Sequence, residues 1–174
     1  MLERRNQIIH IKPWEENDLE LLFQINSPEM TRHLGGPENK EQILKRHQRY
    51  LELCNSSMGC MFSIVLLPEL ESVGSIGYWQ TSWKNEDVYE MGWSVLPSHQ
   101  GKGIATIAEK LMIEEASVHA KHKYIHAFPS IDNPASNAIC RKLDFEFISE
   151  CEFEYPQGSF MRCNNWRLKL NSDI

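Results

Sequence analysis

Apolar residues recur along this chain at two different spacings, one typical of helices and one of strands. Helical spacing predicts four helices, over residues 17–25, from 39 to just before 59, 104–120 and 134–143. Alternating or β-branched runs predict seven strands, over residues 8–11, 61–67, 73–83, 88–96, 124–128, 147–155 and 161–170. The pattern therefore predicts an α/β (α+β) fold, with a mixed, mostly antiparallel sheet of about seven strands flanked by about four helices. We expect one domain over residues 1–174.

Polar residues at the predicted helix starts indicate where the helices are capped. Asn17 precedes Glu20 by three residues, and Asn39 precedes Gln42 by three, which is the spacing of a capping box. Asn133 lies directly before Pro134 and is a plausible cap for the last helix. We therefore expect the helices to begin at these asparagines.

The order of elements predicts two supersecondary units. Three consecutive strands between residues 61 and 96 indicate an antiparallel meander. The next helix, 104–120, connects the last of them to the strand 124–128, which is the order of a parallel βαβ unit.

A glycine-bearing loop joins the third meander strand to this crossover helix. It contains Gly101 and Gly103, and a helix begins immediately after it. Such a loop directs backbone N–H groups and the positive end of the helix dipole toward one point, where a phosphate can bind, although glycines also serve simple tight turns. The loop does not match the dinucleotide-binding fingerprint, because Thr106 stands at the position of its third glycine. It does not match the P-loop motif either, because Lys102 is followed by glycine.

Two segments resemble a known family. Gln100-x-x-Gly103-x-Ala105 matches the acyl-CoA motif of the GCN5-related N-acetyltransferases (GNAT). The segments 133–136 and 141–145 are similar to that family's Asn-x-x-Ser and Glu-Lys-Leu-Gly-Phe elements, with Asp144 in place of the glycine. Glu90-Met-Gly-Trp93 resembles the strand found in the branch that acetylates ribosomal-protein N-termini.

This resemblance implies that the chain binds acetyl-CoA and transfers its acetyl group directly to an amine, either a small molecule or a peptide N-terminus. The implied cofactor-binding residues are Trp93, Ser94, Val95, Leu96, Gln100, Gly101, Lys102, Gly103, Ile104, Ala105, Asn133 and Ser136. Two alternatives stay open at this stage: a non-catalytic acyl-CoA-binding regulatory module, and a nucleotide-binding protein that does not use CoA.

Glu90 is the predicted general base, because it lies on the strand that leads into the implied site. Ser136 is a candidate hydrogen-bond partner for the CoA sulfur. Cys140 occupies the position at which many relatives carry a tyrosine acid, and we interpret it as a packing residue. The residues predicted to contact the acceptor amine are Thr31, Arg32, His33, Trp79 and Glu90.

Composition narrows the possible partners. The formal net charge of −6 argues against general binding of nucleic acid, and no apolar run is long enough for a signal peptide after Met1 or for a membrane span. Five cysteines without a CxxC pair favour reduced thiols and a cytoplasmic protein. His119, His122 and His126 lack acidic partners at a clear spacing, so we predict no metal site. We expect a monomer or a homodimer.

Overall fold

A computed structural model describes residues 7–171 of the chain. The first six residues, which enter the prediction that the chain has no signal peptide, lie outside the described part. The strands are β1 (Ile8–Pro13), β2 (Gly59–Leu67), β3 (Glu71–Trp83), β4 (Glu86–Val95), β5 (Tyr124–Ala127), β6 (Glu146–Glu154) and β7 (Phe160–Lys169). The helices are α1 (Leu19–Ile25), α2 (Lys40–Leu53), α3 (Ile104–Val118) and α4 (Pro134–Lys142). The predicted seven strands and four helices are confirmed.

All seven strands form one sheet, in the order β1-β2-β3-β4-β5-β7-β6. Every neighbouring pair is antiparallel except β4 and β5, which are parallel and joined by α3. The predicted meander and the predicted βαβ unit are therefore both present. Since β4 and β5 run in the same direction, their carboxyl ends and the loops that follow them meet at one edge of the sheet.

The sheet is covered on both faces, because successive residues of a strand point to opposite sides. Phe62 belongs to a core cluster with the inner side of α3, which includes Ala108 and Met112. Its neighbour Met61 belongs to a second cluster with α1 and α2, which includes Ile43. The α3 face and the α1–α2 face are thus separate layers.

The caps confirm two of the three predicted helix starts. Asn39 and Gln42 exchange two hydrogen bonds of 2.9 Å each, and the Asn133 side chain accepts the Ser136 amide at 3.1 Å. The prediction for the first helix was wrong. A 3₁₀ turn (Glu16–Asp18) precedes α1, and the carboxylate of Asp18, rather than an Asn17 cap, is bonded to the Glu15 amide at 2.8 Å.

The expectation of five reduced thiols was also wrong. Cys54, which follows α2, is disulfide-bonded to Cys60 at the start of β2. The two cysteines meet because the chain folds back between this helix and this strand. Cys140, Cys151 and Cys163 are free.

The loop that joins α1 to α2, residues 26–39, lies against the hairpin formed by β6 and β7. Arg46 on α2 forms an ion pair with Glu38 and donates to the Tyr155 hydroxyl at 2.7 Å. A Cβ atom at Gly35 would stand 2.7 Å from the Pro156 ring. The α1–α2 loop and the β6–β7 hairpin therefore form one contact surface.

Candidate active site

Strands β4 and β5 separate shortly after they meet. Their parallel pairing covers only Tyr89 with Ile125 and Glu90 with His126, whereas β4 stays paired with β3 as far as Val95. Beyond Glu90, the β5 side of β4 has no strand partner among the described residues. The two strands thus enclose a gap that opens toward the edge where their following loops meet.

Backbone groups of β4 face this gap at alternate residues. The amide of Leu96 donates to the Val73 carbonyl on β3 at 2.8 Å, and backbone direction alternates along an antiparallel ladder. Ser94 and Leu96 therefore direct their backbone groups to β3, while Trp93 and Val95 direct theirs to the gap. Of the four residues predicted to contact CoA here, Trp93 and Val95 are therefore the two whose backbone groups face the gap.

The glycine loop after β4 leaves a row of backbone amides without acceptors. Gly101 and Gly103 have φ angles of +73° and +79°, which favour glycine. Among the described residues, no hydrogen-bond acceptor serves the amides from Gly101 to Thr106. Gln100 folds back and donates to the Val95 carbonyl at 2.8 Å, which holds the loop against the strand end. This is the geometry of an anion-binding helix start, with the exposed Lys102 beside it.

Helix α4 begins at the same edge of the sheet, after β5. Its first turn is fixed by Asn137, which is 3% exposed. The Asn137 amide group donates to the carbonyls of Ser130 and Asn133, and its oxygen accepts from the side chains of Asn164 and Trp166, all at 2.8–2.9 Å. This network fixes the first turn of α4, which carries the predicted residues Asn133 and Ser136.

Glu90 lies at the point where the gap opens, on the sheet face opposite to the α3 layer. Burial raises the pKa of its carboxyl from 4.5 to about 7, and a hydrogen bond from the Trp79 indole, 3.3 Å from Oε2, partly offsets that rise. Trp79 fits here because Gly92 has no side chain: a Cβ atom at Gly92 would lie 3.0 Å from the indole. The structure therefore brings the predicted residues Trp79 and Glu90 together.

The predicted acceptor segment is placed differently. Thr31 is buried, and its hydroxyl donates to the Ser27 carbonyl at 2.8 Å within the same loop. Arg32 is exposed and His33 is half-buried. Among the described residues, no hydrogen bond or ion pair joins these three to Glu90, and the α1–α2 loop packs on the β6–β7 hairpin.

The sequence profile of the acetyltransferase (GNAT) domain matches residues 9–146. This chain belongs to the GNAT family. It is an acyltransferase, and it is 25% identical over 134 residues to an uncharacterized N-acetyltransferase, YoaA, of Bacillus subtilis (strain 168), with 75% of each chain covered.

Solved GNAT structures share the fold. A structure of the ribosomal L7/L12 α-N-protein acetyltransferase RimL, in complex with coenzyme A, superposes with a TM-score of 0.77, 17% identity and coverage of 95% and 96% of the two chains. A spermidine N-acetyltransferase from Vibrio cholerae, in complex with CoA and spermine, gives a TM-score of 0.75, 13% identity and coverage of 93% and 95%. At these identities the likeness concerns the fold, and it confirms the predicted GNAT architecture.

Within this GNAT fold, Cys140 packs in the interior. Its side chain is inaccessible to solvent, and burial raises the pKa of its thiol well above the ordinary range. These observations agree with a packing role for Cys140. Among residues 7–171, no cluster of histidine, cysteine and acidic residues could hold a metal ion, and no helix has the length and apolarity to cross a membrane.

Sequence reasoning missed three buried polar residues, which are His126, Asn165 and Glu109. His126 had been considered only as a possible metal ligand, yet it lies opposite Glu90 and its ring is bonded to Asn165 at 2.7 Å. Glu109 on α3 is completely buried. For His126, the signal that could have been used is the parallel pairing of β4 with β5, which places it beside Glu90 in the sheet. For Glu109, helical periodicity gives no reason to expect a carboxylate inside the protein.

Proposed function

We propose that this chain transfers the acetyl group of acetyl-CoA directly to a primary amine, with Glu90 as the general base. One observation carries the proposal: β4 and β5 separate at a half-buried carboxylate whose pKa is about 7, on the strand that leads to a loop of unpaired amides. The relatives support an amine acceptor, because RimL is named for a protein α-amino group and the Vibrio cholerae enzyme for spermidine.

The residues of the gap fit the proposed donor. The amides of residues 101–106 and the α3 dipole would hold the pyrophosphate of CoA, and the backbone of Trp93 and Val95 would pair with its pantetheine arm. Asn133 and Ser136, at the start of α4, would contact the same arm from the other side. Acetyl-CoA would supply an activated thioester, which needs no further activation by a metal.

Glu90 would perform the chemistry that an amine acceptor requires. An ammonium ion has no lone pair, so its nitrogen must lose a proton before it can bond to the acetyl carbon. A carboxylate with a pKa near 7 is a stronger base than an exposed glutamate, and about half of it is ionised at neutral pH. The β4 backbone N–H groups that face the gap would stabilise the negative charge that develops on the acetyl oxygen.

The test is release of free CoA thiol from acetyl-CoA in the presence of a panel of amines and peptides. We expect turnover with at least one amine, a fall of about 100-fold or more in kcat for Glu90→Gln, and little change in the KM for acetyl-CoA. Asp87→Asn, which removes an exposed carboxylate from the same strand, is the matched control and should keep full activity.

The pH dependence has a defined sign. The base works only when ionised, so kcat/KM should rise with pH through about 7, and this limb should be changed in Glu90→Gln. Binding of CoA without turnover on any amine, and without an effect of Glu90→Gln, would show a binding module instead of an enzyme of this kind.

A further inference from the structure

His126 and Glu90 form the last paired position of β4 and β5 before the strands separate. Paired residues of neighbouring strands project their side chains to the same face of a sheet. The His126 ring therefore lies on the face that carries Glu90 and Trp79, and only 5% of the residue is exposed. Two titratable residues thus occupy paired positions on one face of the sheet, at the opening of the gap.

Asn165 determines which nitrogen of His126 carries a hydrogen. Its amide oxygen lies 2.7 Å from Nδ1, and Asn165 itself is 1% exposed. A carbonyl oxygen only accepts, so Nδ1 is the protonated nitrogen and Nε2 keeps its lone pair. The ring stacks on Phe128, with centroids 5.7 Å apart and planes inclined by 9°. Both the tautomer and the orientation of His126 are therefore fixed.

Burial favours the neutral form of His126. Burial lowers its pKa, and Arg167 on β7 lowers it further, against the opposing effects of the Asn165 hydrogen bond and of Glu86 on β4. Arg167 is itself paired with a carboxylate of β6, at 2.9 Å. Cys163 on β7 lies close enough to Glu90 to feel its charge, and its thiol, with a pKa raised mainly by burial to about 12, stays protonated.

We propose that His126 is a second proton acceptor of this site, coupled to Glu90, and that Asn165 is the positioning residue that keeps Nε2 free. The inference rests on the proposed acetylation of an amine. It extends that proposal, because the reaction removes two protons from the amine nitrogen and one carboxylate holds only one proton at a time.

The proton balance explains the need for two acceptors. A primary ammonium has three N–H bonds and the amide product has one, so two protons leave the nitrogen. Glu90 accepts the first proton and passes it to Nε2 of His126, which restores the carboxylate. When the C–N bond forms and the C–S bond breaks, the sulfur keeps the bonding electron pair. Glu90 then accepts the second proton, one of the two protons passes to the thiolate to give the CoA thiol, and the other leaves to water.

The first test needs no turnover. Nitrogen-15 NMR of the cofactor-free protein reports the tautomer and the titration of each histidine ring. We expect His126 to be the Nδ1–H tautomer, and its pKa to be lower in Glu90→Gln than in the native chain because a neighbouring anion has been removed. Exposed His10 on β1 is the control, and its ring nitrogen signals should be the same in both proteins. An Nε2–H tautomer, or an unchanged titration of His126, would overturn the proposal.

The second test is the pH–rate profile. In the native enzyme, log(kcat/KM) should fall on the acid side of the profile with a slope of about two. In His126→Gln, the slope should be about one, and kcat should be about 100-fold lower than in the native enzyme. Asn165→Leu should reproduce that loss and populate both tautomers, with the KM for acetyl-CoA unchanged. His122→Gln, which breaks a 2.8 Å hydrogen bond to Gln80, is the matched control and should behave as the native chain does.

The outcomes separate this inference from the proposed function. A His126→Gln enzyme with the native profile, alongside an inactive Glu90→Gln enzyme, would refute the role of His126 and leave the acetylation intact. Failure of the native chain to acetylate any amine would refute the proposed function itself, whatever the NMR titration shows.

Discussion

Replacing Glu109 should stabilise the protein, and the gain should depend on pH. Glu109 lies on the inner side of α3 with no exposed surface, and neither carboxyl oxygen has a hydrogen-bond partner among the described residues. Burial raises its pKa from 4.5 to about 9, so the folded chain holds it protonated at neutral pH. The unfolded chain ionises it under the same conditions, and this difference disfavours folding.

The magnitude follows from proton linkage. For a carboxyl whose pKa is raised on folding, stability is fully present below the unfolded pKa of 4.5 and is lost as pH rises toward the folded value of about 9. Each pH unit in that window costs about 1.4 kcal/mol, so by pH 7 the penalty is about 3 kcal/mol. Glu109→Gln keeps the shape of the side chain and removes its ionisable group. The free energy of unfolding should therefore rise by an amount of this size.

Chemical denaturation of the native chain and of Glu109→Gln between pH 5 and 8 measures this effect. The difference in the free energy of unfolding should increase by about 1.4 kcal/mol per pH unit, because contributions of other groups cancel between the two proteins. Glu114→Gln, on the exposed side of the same helix, should show no such slope. A difference that stays constant over this range would mean that Glu109 is not held protonated in the fold, and would refute the reasoning.

Three further predictions concern the site and its support. Gly103→Ala should lower the affinity for CoA about tenfold or more, measured by calorimetry, and lower the free energy of unfolding by about 1 kcal/mol, because φ is +79°. Gly158→Ala, where φ is +85°, should lower the free energy of unfolding by the same amount in denaturation without affecting the affinity for CoA. Asn137→Leu should lower the free energy of unfolding by about 3 kcal/mol, since it strands four hydrogen-bond partners, and a loss below about 1 kcal/mol would contradict this. Trp79→Phe should shift the acid limb of the pH–rate profile to higher pH, since the indole hydrogen bond lowers the pKa of Glu90; an unmoved midpoint would assign that limb to another group.

Features that depend on short stretches of sequence were predictable. The helix starts at Asn39 and Asn133 follow from a polar side chain and an amide three residues apart. The loop around Gly103 follows from the need for a positive φ before a helix. Glu90 and Trp79 meet because antiparallel strands of a short hairpin pair in register. In each case the physical cause lies within one element or between neighbours in the chain.

Features that depend on partners distant in sequence were not predictable. His126 and Asn165 are 39 residues apart, and nothing in either segment alone selects the other. Glu109 occupies an interior position of α3 that periodicity assigns to apolar residues. At the first helix, Asn17 and Asp18 are equally good capping residue types, but Asp18 is the residue that turns inward, where it is 3% exposed and accepts a hydrogen bond from the Glu15 amide. Tertiary packing decided these cases.

The contact between the α1–α2 loop and the β6–β7 hairpin limits how this enzyme could be recombined with its relatives. Arg46 and Tyr155 lie 109 positions apart, yet they are bonded directly, and Gly35 leaves no room for a side chain beside Pro156. A chimera that imports the loop alone would set a foreign backbone against the native hairpin. The smallest transplantable unit is therefore discontinuous, and homologous exchange must carry both segments together.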